Sequence, residues 1–395
     1  MAKYDNINIA QEQAKVEDMK KRKKYLAMHK NKIYQGSDGL WYTYLPTEPK
    51  RTKVKKKTEE EVEDRVIKFF EELETNPTLD ELFEEWITQR YERNKIARST
   101  YDRTWQVYRR HFEEFGKNKI STLTPEDFED FLEEELAEKQ LTSKSFSSLK
   151  SVVKGILQRG KRLKVVNFNV KDLFDDLDIA DRDFHKTVKE DSEEVFDEEE
   201  TAKIIEYCMS DMTLRNTAVL LMFVSGLRVG ELVALKHEDI AGPVVSVRRT
   251  ETKYSNPDGP GYIYGVKDFP KTQAGIRNVV IPKDFHFVLS RLRVFNAFGD
   301  YIFVENGVRL NTQKIRRHLL RVCNNVGIPP RSPHKIRKTV TSILMDAKLD
   351  NNLIKSQMGW TDIAVGENFY HRNRKSIDKK LDIISSIGEF QLSSQ

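Results

Sequence analysis

The stretch Arg331-Ser-Pro-His-Lys-Ile-Arg-Lys-Thr339 contains a predicted helix start and, just after it, two side chains of types that commonly bind anions. Pro333 favours the first turn of a helix, because its missing N–H would have no partner there. His334 and Arg337 are three residues apart, so the imidazole and the guanidinium lie side by side on that turn. The positive end of the helix dipole also favours an anion. Alone, the stretch fits either a phosphate site or a helix start with a solvated arginine.

The composition predicts several domains and a basic N-terminus. The chain has 395 residues, of which 38% are hydrophobic and 33% are charged, which suits two or three soluble domains. Residues 1–57 hold fifteen lysines and arginines against six acidic residues, a balance of +9 in a chain with a net charge of +5. This uneven distribution predicts an anionic partner. Cys208 and Cys323 are the only cysteines, and no apolar run reaches membrane-spanning length, so we expect a cytoplasmic protein.

Residues 1–75 predict a basic arm and a small DNA-binding domain. The polar residues 1–30 suit a short helical arm or a solvated segment. Residues 32–57 predict three strands, the second aromatic and the third basic, and Thr58 with Glu61 forms a capping box that starts a helix. A sheet edged by lysines and aromatic rings favours nucleic-acid binding over an ordinary amphipathic sheet. The lysines predicted to bind DNA here are Lys53, Lys55, Lys56 and Lys57.

Residues 76–171 predict a domain of four helices, with starts near residues 78, 99, 124 and 143. Its aromatic residues suit a core, and its fourth helix carries a basic face for phosphate contacts. The lysines predicted to bind DNA on that helix are Lys144, Lys150 and Lys154. The acidic residues 172–196 predict a linker, and a further domain is predicted over 197–395.

The helix predicted over 214–227 is almost wholly apolar, and it ends in Ser225-Gly-Leu-Arg-Val-Gly-Glu-Leu232. Gly226 allows a tight turn that presents Arg228 at the edge of the core. A guanidinium at such a place needs a partner. Glu231 in a buried ion pair and a bound phosphate are the two alternatives.

Two further side chains suit phosphoryl chemistry. Lys271 is predicted at the tip of a hairpin between strands over 262–266 and 276–281, where its amine is a usable proton donor; the alternative is a solvated turn lysine. Tyr370 is the only tyrosine after Tyr301, so the C-terminal region offers one phenolic nucleophile. The alternative for Tyr370 is a packed aromatic ring beside Phe369.

In order and in rough spacing these segments resemble the tyrosine recombinases, the integrases of phages and conjugative transposons. The resemblance rests on Ser225–Leu232, on Lys271-Thr-x-Ala-Gly-x-Arg277, on His334-x-x-Arg337 and on Tyr370. It implies a multidomain, mainly α fold with small β-sheets. The three parts would be an N-terminal three-stranded sheet plus helix that binds arm-type DNA sites, a four-helix core-binding domain, and a mixed α+β catalytic domain.

The resemblance also implies a role for each residue. Arg228 and Arg337 would clamp the scissile phosphate, and Lys271 would protonate the leaving 5′ oxygen. His334 would assist proton transfer, and Tyr370 would be the nucleophile. Two guanidiniums can meet the charge of phosphoryl transfer without a metal, so the resemblance implies neither a cofactor nor a metal site.

Two departures from the family concern the C-terminal region. Trp360 stands where the family commonly has histidine, and an indole N–H can donate a hydrogen bond to phosphate but cannot shuttle a proton. The spacing from Trp360 to Tyr370 is also one residue longer than usual.

Residues 375–387 predict an amphipathic tail helix, which would pack on its own domain or on a neighbouring protomer.

We therefore expect a site-specific DNA recombinase, the integrase of a mobile element, that works through a covalent 3′-phosphotyrosine. The alternatives are a catalytically silent DNA-binding protein on the same scaffold and a type IB topoisomerase. The partners that the resemblance implies are double-stranded DNA at core and arm-type sites, further copies of the chain in a tetramer, an excisionase and a host DNA-bending protein, with no membrane.

Overall fold

The computed structural model divides the chain into two compact units, residues 1–186 and 187–395. The residues that it describes are 16, 18–46, 51–187, 190–268, 273–375 and 377–387. The boundary between the units falls inside the predicted acidic linker, while the individual domain limits stay predictions.

The first part of the first unit contains the predicted three-stranded sheet and the helix that follows it. Helix α1 (18–28) comes before the sheet. The antiparallel strands β1 (Tyr34–Gln35), β2 (Trp41–Leu45) and β3 (Thr52–Lys56) pair in the order β1-β2-β3. Helix α2 (Glu59–Thr75) starts at the Thr58–Glu61 capping box, as predicted. One face of the sheet buries Leu45 and Val54 against α2, since alternate residues of a strand share a face.

The remainder of the first unit is helical around one aromatic core. Its helices are α3 (Leu79–Glu92), α4 (Arg98–His111), α5 (Pro125–Glu138), α6 (Ser143–Arg162) and the short α7 (Val170–Asp175). The Thr78–Glu81 and Thr124–Asp127 capping boxes start α3 and α5. Helix α4 begins at Arg98, one residue before the predicted start, and its N-cap residue Ala97 makes no side-chain hydrogen bond.

The second unit is built around the apolar helix α10, whose side chains are almost all buried. Its helices are α8 (Asp191–Glu194), α9 (Glu198–Ser210), α10 (Leu214–Ser225), α11 (Val229–Leu232), α12 (His286–Leu292), α13 (Thr312–Asn325), α14 (Pro333–Asp346), α15 (Asn351–Met358), α16 (Ala364–Phe369) and α17 (Ile377–Ser385). Its strands are β4 (Ile240–Ala241), β5 (Val244–Val247), β6 (Thr250–Ser255), β7 (Tyr262–Lys267), β8 (Arg277–Val280), β9 (Val304–Glu305) and β10 (Val308–Arg309).

The strands of the second unit form three small antiparallel sheets, β4-β5-β8, β6-β7 and β9-β10. The hairpin predicted around Lys271 is therefore wrong. The strands before and after Lys271, β7 and β8, pair with β6 and β5 in different sheets. Strand β6 was missing from the prediction, and it is β6 that takes β7 as its partner.

The predicted fold class is confirmed, because the protein is mainly helical with small antiparallel sheets. The tail helix predicted over 375–387 corresponds to α17. Among the described residues, no helix has the length and apolar character needed to span a membrane.

Candidate active site

Helix α14 carries the His334–Arg337 turn, with Pro333 in its first turn as the sequence predicts. The Arg337 side chain is fully buried. Its Nη1 donates a 2.7 Å hydrogen bond to the carbonyl of Gly226, and its Nη2 donates to the carbonyl of Met358. Burial, followed by the charge of Arg228, lowers the pKa of the Arg337 guanidinium to about 9, so Arg337 stays a cation at neutral pH.

Gly226 supplies the first of these carbonyls because it ends α10 with a φ of +68°. A left-handed backbone at this place favours glycine. A Cβ atom at Gly226 would lie 3.0 Å from the Met358 sulfur and 3.2 Å from Cγ1 of Val340. The tight turn predicted at the end of α10 thus lets α10 approach α14 and brings the chain to Arg228.

Glu231 joins Arg228 to a second arginine, Arg277. Nη1 of Arg228 lies 2.8 Å from Oε1 of Glu231, and Nη2 of Arg277 lies 2.8 Å from Oε2. The Glu231 side chain is 2% exposed and that of Arg228 is 39% exposed. Burial opposes the charge on Glu231, but Arg277, then Arg228 and Arg337, outweigh it and lower the Glu231 pKa to about 2. The predicted Arg–Glu pair exists, and it leaves much of the Arg228 side chain open to solvent.

Tyr370 packs among three of the other predicted site residues. It follows α16 directly, and its ring centroid lies 5.2 Å from that of His334 and 5.0 Å from that of Trp360. The Arg337 guanidinium lies 5.6 Å from the Trp360 ring and 5.7 Å from the Tyr370 ring. The C-terminal helices therefore bring the phenol against α14.

His334 is exposed as a whole residue, while one side of its ring packs against Tyr370. Partial burial of the imidazole, and then the charges of Lys338, Arg337 and Arg228, lower its pKa to about 4. His334 is therefore neutral at pH 7, with one ring nitrogen able to donate and the other able to accept a hydrogen bond.

Two buried N–H groups at the site find no acceptor among the described residues, namely Nε of Arg337 and Nε1 of Trp360. Buried donors in proteins are nearly always paired, and an unpaired one is costly. A phosphate oxygen is an acceptor that fits donors of both kinds. The arrangement is thus suited to bind an anion beside a phenol and a neutral imidazole.

Lys271 lies outside the described residues. The structure places Arg228, His334, Arg337, Trp360 and Tyr370 in the second unit, and it places all the predicted DNA-binding lysines in the first.

The lysines of β3 divide between the two faces of the N-terminal sheet. Lys53 and Lys55 lie on the open face, where their amines are 4.5 and 5.5 Å from the centre of the Tyr42 ring. Lys56 follows the alternation of Val54 and lies on the opposite face. Lys57 comes after the strand. The open face therefore combines aromatic rings with two exposed cations.

The lysines of α6 also differ in their surroundings. Lys144 and Lys154 are exposed, whereas Lys150 is half-buried, with its amine 5.4 Å from the centre of the Phe146 ring. Lys144 and Lys154 share the exposed side of α6 with Ser147 and Ser151.

Sequence reasoning quoted Arg277 within the Lys271–Arg277 segment but gave it no role. In the structure Arg277 is buried and is the main partner of Glu231. The available signal was its alternation with the apolar residues of β8, which places a guanidinium on the buried face of a strand and so demands a carboxylate.

Two family models match the chain. Residues 282–376 match the phage integrase family, and residues 78–136 match the N-terminal SAM-like domain of phage integrases. The first match includes His334, Arg337 and Tyr370, whereas Arg228 lies before it.

Among curated proteins, the ICEBs1 integrase of Bacillus subtilis (strain 168) is 25% identical over 283 residues, which is 68% of this chain and 73% of that protein. A tyrosine recombinase XerC-like protein of Caldanaerobacter subterraneus subsp. tengcongensis is 26% identical over 45% of this chain and 50% of its own length.

Solved structures that share the fold include those of two integrases. The Tn1549 transposon integrase in complex with transposon right end DNA has a TM-score of 0.56 and 17% identity, over 79% of this chain and 99% of that one. The lambda integrase tetramer bound to a Holliday junction has a TM-score of 0.54 and 15% identity, over 88% and 97%. These structures show the fold alone, while the family models and the curated relatives assign the chain to the phage integrase family of tyrosine recombinases, enzymes that cleave and rejoin DNA.

Proposed function

We propose that this protein is the integrase of a mobile genetic element, and that it integrates and excises the element through a covalent bond between DNA and Tyr370. The observation that carries the proposal is the cluster in which the Tyr370 ring lies 5.7 Å from the buried Arg337 guanidinium and 5.2 Å from the His334 ring. A nucleophile, a fixed cation and a proton acceptor thus meet at one place.

In the proposed reaction the Tyr370 oxygen attacks the scissile phosphorus and the bond to the 5′ oxygen breaks. The phenol loses its proton, and neutral His334 is able to accept one. Lys271 delivers a proton to the leaving 5′ oxygen, a role that rests on the family resemblance. The 3′-phosphotyrosine keeps a phosphodiester bond, so reversal by a 5′ hydroxyl rejoins strands without a nucleotide cofactor.

Charge on the non-bridging oxygens is met by Arg228, whose half-exposed side chain is held by Glu231. Arg337 and Trp360 contribute the buried Nε and Nε1 donors that have no acceptor among the described residues. Because Trp360 and Tyr370 pack around Arg337, the phosphate reaches this guanidinium only if Tyr370 moves aside on DNA binding. Donors fixed before the reaction stabilise the transition state more than the ground state.

The proposed substrate is double-stranded DNA, with core sites bound by the helical and catalytic parts and arm-type sites by the N-terminal sheet. The solved relatives support this, since one is bound to transposon end DNA and another is a tetramer on a Holliday junction. We accordingly propose a tetramer on DNA in the cytoplasm. An excisionase and a host DNA-bending protein are proposed as accessory partners on the family resemblance alone.

The test is covalent capture of a nicked suicide duplex that carries the end of the element flanking the gene. The wild-type chain should form an adduct that survives denaturation, and Tyr370→Phe should form none while its Kd for the same duplex stays nearly unchanged. Tyr301→Phe, in the same unit, is the matched control and should form the adduct at the wild-type rate.

An adduct formed by Tyr370→Phe would show that another group is the nucleophile. A wild-type chain that binds the duplex but never forms an adduct would indicate the silent DNA-binding protein. Relaxation of supercoiled DNA of any sequence, without exchange between element ends, would indicate a topoisomerase.

A further inference from the structure

Arg277 is the most completely bonded guanidinium near the site. Its side chain is 4% exposed. Nη1 and Nη2 donate to the two oxygens of Glu231 at 3.1 and 2.8 Å, and Nη1 also donates to the carbonyl of Gly275 at 3.2 Å. Nε donates to the carbonyl of Gln357 at 3.0 Å. This set of hydrogen bonds requires the planar guanidinium with its several donors, which lysine lacks.

The first consequence of this bonding concerns Arg228. Glu231 accepts from the Arg228 backbone N–H at 2.9 Å and from its Nη1 at 2.8 Å. With both of its carboxylate oxygens also bound by Arg277, Glu231 has one available orientation. The half-exposed side chain of Arg228 is therefore anchored to a carboxylate that Arg277 holds in place.

The second consequence concerns the end of α15. Arg277 binds the carbonyl of Gln357, and Arg337 binds the carbonyl of the next residue, Met358. The Gln357 side chain also exchanges two hydrogen bonds with the backbone of Val280 in β8. These bonds fix the end of α15 between β8 and α14.

Gly359 allows this close approach and leads directly to Trp360. It has a φ of +69°, and a Cβ atom there would lie 2.8 Å from Cδ of Arg277 and 3.0 Å from the carbonyl oxygen of Ala274. The turn that delivers Trp360 thus packs against the Arg277 side chain itself.

We propose that Arg277 is a positioning residue for DNA strand cleavage. It orients Arg228 through Glu231, and it orients Arg337 and Trp360 through the end of α15. The inference rests on the proposed function and deepens it. Arg277 itself touches no DNA, because Glu231 and two backbone carbonyls already engage its buried guanidinium.

If the Arg277–Glu231 pair served stability alone, its substitution would not change the rate of the chemical step in the enzyme that remains folded. If the pair positions Arg228, Arg337 and Trp360, its substitution lowers that rate, because small displacements of these donors weaken their interaction with the transition state. The two roles therefore separate in the rate of adduct formation at saturating DNA, measured well below the unfolding midpoint of each variant.

The experiment compares Arg277→Lys with the wild-type chain on the nicked suicide duplex. Lysine keeps the positive charge beside Glu231, which avoids a buried unpaired carboxylate, but it cannot bind Glu231 and Gln357 together. The expected result is a loss of roughly 10- to 100-fold in the single-turnover rate, as when a partner that orients a functional group is removed. The Kd for DNA should stay the same.

Arg215→Lys is the matched control. Arg215 makes a similar two-point pair with Glu305, with Nε 3.0 Å from Oε1, at the other end of α10 from Arg228. Its substitution should lower the thermal unfolding midpoint without changing the adduct rate. Glu231→Gln, which keeps the shape but loses the charge, should slow the adduct as Arg277→Lys does.

A wild-type rate for folded Arg277→Lys would overturn the inference, as would an equal loss of rate for Arg215→Lys. If the wild-type chain itself formed no adduct, the proposed function would fail first and the inference with it. A wild-type adduct together with an unaffected Arg277→Lys adduct would remove the inference alone.

Discussion

Among the regions in which cations lie beside aromatic rings, the N-terminal sheet and the Arg337 cluster differ most clearly in their surroundings. On the N-terminal sheet the exposed Lys53 amine lies 4.5 Å from the centre of the Tyr42 ring. At the cluster that we propose to be catalytic, the Arg337 guanidinium lies at 5.6 and 5.7 Å from the rings of Trp360 and Tyr370, and it is fully buried. Solvent and salt screen the first contact, whereas the second is in a low dielectric.

From this difference we propose two kinds of contribution to DNA processing. Exposed lysines add small, replaceable increments to affinity, each of which weakens as salt is added. The buried Arg277 and Arg337, together with the half-exposed Arg228 that the buried Glu231 holds, supply few interactions, but these have fixed geometry and are screened less by solvent than the surface lysines are. We expect substitutions in the sheet to change binding and substitutions in the cluster to change the rate.

The largest effect is expected for Arg337→Lys. A single ammonium cannot bind the carbonyls of Gly226 and Met358 and still present a donor in the place of Nε. Loss of a preorganised transition-state donor costs about 10²–10³-fold in rate. The measurement is the single-turnover adduct rate at saturating DNA, with thermal unfolding to establish that the variant is folded. If Arg337→Lys weakened DNA binding but left the adduct rate unchanged, the proposal that the cluster governs the rate and the sheet governs binding would be contradicted.

An intermediate effect is expected from the low pKa of His334. Its folded-state pKa is about 4, below the reference value for histidine of about 6.5. Well above pH about 6.5 the His334 imidazole is neutral in both the folded and the unfolded chain. Between pH 6.5 and 4 the unfolded chain takes up a proton that the folded chain refuses, so stability falls as the pH falls.

The check is the urea midpoint at pH 7 and pH 5 for the wild-type chain and for His334→Gln. Glutamine cannot take up the proton, so the variant should lose less stability between the two pH values. An equal loss in both proteins would show that His334 titrates normally. His318→Gln should reduce the loss in the same direction, because burial lowers the pKa of His318 to about 4 as well.

The sequence allowed prediction wherever a local rule governs the structure. The capping boxes at Thr58 and Thr78 start helices as predicted, and Pro125 and Pro333 stand in the first turns of α5 and α14 as predicted. Helix α10 was predictable because its residues 218–224 are all apolar.

The remainder depends on contacts between distant segments. Strand β6 pairs with β7, so the predicted hairpin failed although the two strands that flank Lys271 were found. Burial of Arg337 depends on carbonyls from α10 and α15, which no local pattern indicates. The role of Arg277 depends on Glu231, 46 residues away. The roles of the site residues themselves stay predictions.

The smallest effect is expected for Lys53→Gln on the open face of the sheet. One lost phosphate contact should lower the salt slope of binding by about one unit and weaken binding only modestly at physiological salt. The measurement is Kd for subterminal element DNA, as fluorescence anisotropy over a range of salt concentrations. Lys56→Gln is the matched control, since it removes the same charge from the same strand on the opposite face. The two variants have equal net charge, so a difference between them measures the face that meets DNA. Equal salt slopes for both would mean that the sheet acts through its overall charge, and that the aromatic face around Tyr42 does not read arm-type DNA.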